Sequence, residues 1–89
     1  TFEAITAKQL LEEKQYFTVQ VGAFADKGRA EKLVAELIAR KEYAYIVETK
    51  ASDTRSYYRV RVGQLSTLKD AQALETKLAG LGYPTLIYP

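Results

Sequence analysis

The chain has no cysteine and no histidine. Without thiols there is neither a disulfide framework nor a thiolate zinc site, so 89 residues must be held together by burial alone. The missing histidine removes the usual general base, the commonest metal ligand and the Ser–His pair. Catalysis would have to rest on carboxylates. Glu31, Glu36, Asp70 and Glu75 fall on predicted helices amid Lys and Arg, and Glu48 and Asp53 flank a loop; this pattern is that of solvated surface charge. No enzyme, metal or cofactor is expected. No apolar run approaches the roughly 18 residues of a membrane span, and "TFEAITAKQLLEEKQ" lacks the charged-then-apolar layout of a signal peptide. A soluble domain without membrane contact of its own is expected. Net charge is only +2, far from the basic footprint of a domain that lives on phosphate contacts. Tryptophan is absent too, so flat apolar surface must come chiefly from seven tyrosines.

The chain also contains one sentence written twice. A shift of 41 positions superposes residues 16–48 on 57–89 without a gap, with identities at Tyr16/Tyr57, Val19/Val60, Val21/Val62, Gly22/Gly63, Ala30/Ala71, Leu33/Leu74, Leu37/Leu78 and Ile46/Ile87. Ordinary amino-acid usage would give about two such pairs. In each copy, "YFTVQVGAF" and "YYRVRVGQL" alternate with period two, as a half-buried strand does. Ala30, Leu33, Val34, Leu37 and Ile38, and likewise Ala71, Leu74 and Leu78, then recur at three- and four-residue spacings, as on one helix face. Asp26 and Thr67 stand at equivalent helix N-cap positions. Gly80, Gly82 and Pro84 end the second helix; the first copy has Lys41 in place of Gly82, so a different turn is expected there. Gly22 and Gly63 are expected to end the first strand of each copy at a turn or bulge, since no phosphate-loop pattern surrounds them.

"YAYIVE" and "PTLIY" supply one more strand per copy, and "TKASDTRS", 49–56, reads as the hairpin loop between copies. The order is βαββαβ: an α+β, ferredoxin-like or RNP-like two-layer sandwich with a four-stranded antiparallel sheet and both helices on one face. The first strands of the copies pair at its centre. Residues 1–15, with Phe2, Ile5, Leu10 and Leu11 among polar neighbours, read as an N-terminal extension, either a docked helix or a tether. The domain proper is expected over 16–89.

If Val19, Val21, Val60 and Val62 face the helices, then Thr18, Gln20, Tyr57, Arg59 and Arg61 face the other way. Tyr45 and Tyr88 of the outer strands are placed with them. Amide and guanidinium groups beside aromatic faces suit single-stranded nucleic acid or polysaccharide. RNA-recognition motifs share βαββαβ, but "YYRVRVGQL" does not carry their Lys/Arg-Gly-aromatic signature. With the small net charge, that argues for no nucleic acid.

The paired motifs "YFTVQVGAF" with Ala30, Leu33 and Leu37, and "YYRVRVGQL" with Ala71, Leu74 and Leu78, resemble the SPOR (sporulation-related repeat) domain of bacterial cell-wall proteins. The resemblance covers residues 16–89. It implies a non-catalytic module that binds peptidoglycan, recognises glycan strands denuded of stem peptides, and targets its parent protein to the division septum. Periplasm or cell envelope follows as the location. Gln20, Gly22, Ala23 and Phe24 match the family's first-strand pattern, and Arg59 to Gly63 its third-strand pattern. The chain departs at Gln64 and Leu65, where the family often has proline and an aromatic, and at Lys41, where it has a glycine.

The resemblance assigns Gln20 to sugar hydroxyl or acetamido groups and Arg61 to the same groups or to muramyl carboxylates. Arg59 and Thr18 join the face, Arg59 alternatively bracing the sheet. Some members carry a tryptophan there; here Tyr57, Tyr45 or Tyr88 would be the platform. The alternative reading is a protein-interaction module for cell-division or cell-wall-hydrolase partners.

Overall fold

The computed structural model describes residues 16–88, and the helix-or-tether reading of residues 1–15 lies outside them. The elements are β1 (Phe17–Phe24), α1 (Lys27–Ala39), β2 (Ala44–Lys50), β3 (Ser56–Leu65), α2 (Leu68–Gly80) and β4 (Leu86–Tyr88). All strand pairs are antiparallel, in the order β2-β3-β1-β4, so the first strands of the two copies do lie at the centre.

Alternation decides the two faces. Val19, Val21, Val60 and Val62 are buried against Ala30, Leu37, Ala71 and Leu78 of the helices. These matched residues form the core, flanked by Phe24, Leu33, Ile46, Tyr58 and Leu74. Each helix starts where expected: the Asp26 side chain accepts from the Gly28 N–H at 2.8 Å, and Thr67 Oγ1 accepts from the Asp70 N–H at 3.1 Å.

Both central strands run on past their glycines instead of ending there. Gln20 pairs with Arg61 and Gly22 with Val60, which leaves Val21 as an extra residue on β1. A second irregularity lies between the Phe17–Leu65 and Val19–Val62 pairs, where β3 has the extra residue and Gly63 adopts φ +78°. A Cβ at Gly63 would also stand 3.1 Å from Leu74 Cδ2. At Gly22 the need is space: a Cβ would fall 2.8 Å from Phe24 Cε2 and 3.2 Å from Leu33 Cδ2. The ladder also extends further than expected, with Thr49, Lys50 and Ser56 paired, so the connecting loop shrinks to 51–55.

The expectation of a different turn after the first helix is overturned. Lys41 takes φ +65° where Gly82 takes φ +96°. Lys41 and Glu42 donate to Ile38 and Leu37 carbonyls at 2.9 and 3.0 Å, and Gly82 and Tyr83 donate to Ala79 and Leu78 at 3.0 and 3.2 Å. This is the same left-handed closure in both copies, reached by lysine at a steric cost of about 1 kcal/mol. Lys41→Gly is therefore expected to stabilise the domain by about 0.5–1 kcal/mol, raising Tm by a few degrees. A thermal melt that shows no rise would contradict this account.

The repeat also governs contacts between copies. Glu36 and Lys77 occupy equivalent positions, as do Glu42 and Tyr83. Tyr83 OH donates to Glu36 Oε1, and Lys77 Nζ stands 2.6 Å from Glu42 Oε2, so each helix holds the turn that leaves the other helix. The bond to Glu36 raises the Tyr83 phenol above its ordinary pKa, because the hydrogen-bonded neutral form is favoured.

Candidate functional site

The face of the sheet away from the helices is open, and the register places its side chains in rows. Tyr45, Arg61, Gln20 and Leu86 form one row across the four strands. Thr18 pairs with Tyr88 beside it, while Val47, Arg59 and Ala23 form the next row in the other direction, followed by Thr49 and Tyr57. No carboxylate stands in these rows, so two guanidiniums share the face with no opposite charge among the described residues.

Arg61 stands at the middle of the row, between Gln20 and Tyr88. Its Nε donates to Gln20 Oε1 at 3.4 Å, and its guanidinium carbon lies 4.5 Å from the centroid of the Tyr88 ring. The contact with Tyr88 is a cation–π pair, which holds the charge over an aromatic surface while leaving guanidinium N–H groups available. Gln20 is only 9% exposed. It supports Arg61 from within the sheet surface and has less of its own amide to offer a ligand than alternation alone suggests.

Tyr45 is tied down as well. Its hydroxyl lies 2.9 Å from Thr18 Oγ1 and 3.2 Å from the Gly63 carbonyl, and Thr18 Oγ1 in turn donates to the Val62 carbonyl at 3.0 Å. A phenol has one proton to give. The Thr18 hydroxyl can accept it while passing its own to Val62, which carries a short relay across β3 at the bulge. Tyr45 thus reaches across β3 to β1, and its ring is fixed at its hydroxyl end.

The expected residues do not all gather at one point. Gln20, Arg61, Tyr45, Tyr88 and Thr18 do. Tyr57 shares the face but stands four residues along β3, about 13 Å away. Arg59 lies between these, opposite Val47 and Ala23, and its side chain makes no hydrogen bond or ion pair among the described residues, so no bracing carboxylate is found for it.

Two members of the neighbourhood escaped the reading of the sequence. Tyr43 is 63% exposed, with its ring centroid 5.4 Å from that of Tyr45 and tilted by 43°. Leu86, 54% exposed, pairs with Gln20. The signal was present in both cases: Tyr43 precedes Tyr45 by two positions, and Leu86 precedes Tyr88 by two.

Such a surface can hold an extended polar ligand. Aromatic rings offer flat apolar contact, and a preorganised guanidinium offers paired N–H donors to a carboxylate or to hydroxyl groups.

Comparisons with known proteins agree with the topology. The crystal structure of the RlpA SPOR domain from Pseudomonas aeruginosa superposes with a TM-score of 0.65 at 24% identity, covering 82% of this chain and 97% of that one. The solution structure of the peptidoglycan binding domain of the B. subtilis cell wall lytic enzyme CwlC gives a TM-score of 0.66 at 23% identity, covering 82% of this chain and 86% of that one. At these identities the likeness is one of fold. No curated protein matches the chain. The family model of the SPOR domain, however, matches residues 13–88, almost the full length. The chain belongs to the SPOR domain family.

Proposed function

We propose that this domain binds peptidoglycan through its open sheet face, that it favours glycan strands freed of their stem peptides, and that it thereby brings its parent protein to the division septum in the cell envelope. SPOR domains are binding modules and not catalysts. The observation that carries the proposal is Arg61, held between Gln20 and Tyr88 on a face whose described rows hold no carboxylate. An amidase that removes a stem peptide hydrolyses the amide at the muramyl lactyl group and leaves a carboxylate. A fixed guanidinium answers that change, because charge-assisted, paired hydrogen bonds form to the carboxylate and not to the amide.

The aromatic residues contribute the remainder. Tyr45 and Tyr88 present apolar surface to sugar C–H groups, Thr18 anchors Tyr45, and Arg59 and Tyr57 extend the surface along β3. The CwlC domain is described as peptidoglycan binding, which is consistent with this role. Affinity is expected to be modest, micromolar to millimolar, or about −8 to −4 kcal/mol.

Co-sedimentation with purified sacculi before and after amidase treatment tests the proposal. Stronger pelleting after treatment is expected. Pelleting that ignores the treatment, or that needs a division or hydrolase protein, would instead favour a protein-interaction module.

A further inference from the structure

Every second residue from Arg55 to Arg61 is arginine or tyrosine: Arg55, Tyr57, Arg59, Arg61. On β3 this period puts Tyr57, Arg59 and Arg61 on the open face, in unbroken register with Thr49, Val47 and Tyr45 of β2. Arg55, just before the strand, is exposed and lines a hollow beside the start of β3 together with Tyr57, Ser56, Ala25 and Thr54. None of the three guanidiniums forms an ion pair among the described residues. The result is a stripe of three uncompensated cations and one aromatic residue on the order of 20 Å long.

We infer that this stripe binds a linear glycan lying along β3, with Arg61 and Arg55 engaging carboxylates of different disaccharide repeats. The inference rests on the glycan reading given above and adds orientation, length and a second cationic subsite. The orientation follows from charge. Along β3 three cations occur within about 20 Å, whereas the row across the sheet has Arg61 alone in about 14 Å. A denuded strand repeats its carboxylate once per disaccharide, so a strand laid along β3 meets a second cation, and one laid across the sheet does not. A fully substituted strand has amides at those positions and gains nothing from the stripe. The hollow beside Arg55 leaves the chain room to continue past the end of the sheet.

The test uses denuded glycans of one, two and three disaccharides, titrated against the wild-type domain and Arg55→Gln by calorimetry. For the wild type, affinity is expected to rise about three- to five-fold between one and three repeats, the size of one exposed charge contact. Arg55→Gln is expected to match the wild type on the single disaccharide and to lose the rise. Three-repeat glycan whose carboxylates are capped as methyl amides should also lose it with the wild-type domain, which makes the outcome independent of how the variant folds. A length-dependent gain that survives in Arg55→Gln or with the capped glycan would overturn the stripe while leaving the Arg61 site standing. Absence of binding to every glycan would overturn both. Equal affinity for single-stranded oligodeoxythymidylate would show a general polyanion surface and would also defeat the inference.

Discussion

Arg61→Ala is expected to weaken binding to denuded glycan by about ten- to a hundred-fold without unfolding the domain. A hydrogen bond to a charged group contributes about 1.5–3 kcal/mol, which converts to that range. The side chain lies on the sheet surface, and the central valines pack on the opposite face, so the core is untouched. Arg61→Lys separates charge from geometry. Lysine keeps the cation but not the planar fork, and it should recover only part of the loss. Tyr88→Phe retains a ring beneath the guanidinium and should bind nearly as the wild type does, whereas Tyr88→Leu removes the cation–π contact and should cost up to a few-fold. Isothermal titration with a circular-dichroism spectrum of each variant measures all four. Unchanged affinity in Arg61→Ala would remove this residue from the site.

The largest effect on stability is expected at Leu37 and Leu78. They are equivalent in the repeat, and both are fully buried, 0% exposed, against the central strands. Leu37→Ala or Leu78→Ala should each cost about 3 kcal/mol through lost transfer energy and a residual cavity. A domain of this size has a total stability of roughly 4–13 kcal/mol, so either change consumes a large part of it. Each should lower Tm by on the order of 12–24 °C. Denaturant titrations of both variants, read side by side, check the loss and its equality between copies. A cost below about 1 kcal/mol at either position would mean that the core is not divided equally between the repeats.

The features legible in the sequence are those in which the chain repeats a period. Val19, Val21, Val60 and Val62 mark strands, the Ala30/Leu33/Leu37 and Ala71/Leu74/Leu78 sets mark helices, and Asp26 and Thr67 mark their starts, because each signal is local. The bulges at Val21 and Gly63 were not legible as such, since they depend on register against another strand, and a glycine marks a bulge and a strand end alike. Lys41 misled because a left-handed turn favours glycine without excluding other residues when two backbone hydrogen bonds hold it. At the site, alternation found Thr18, Gln20, Tyr57, Arg59 and Arg61 on one face, while Tyr45 and Tyr88 were set beside them without it, since "YAYIV" is apolar on both faces. Alternation did not show that Gln20 is buried or that Tyr57 stands far from Arg61, because depth and distance come only from neighbouring strands.

The sheet order has a consequence for the chain's own direction. Thr18, near the start of β1, pairs with Tyr88 at the end of β4, so a short linker could join those ends. If the chain were then opened in the 51–55 loop, the new order would be β3-α2-β4-β1-α1-β2. Renumbered from its new start and read from the opposite edge, the sheet has the same strand order as before. The domain is thus its own circular permutant: exchanging the order of its halves leaves the topology unchanged, and only the asymmetric side chains record which copy came first.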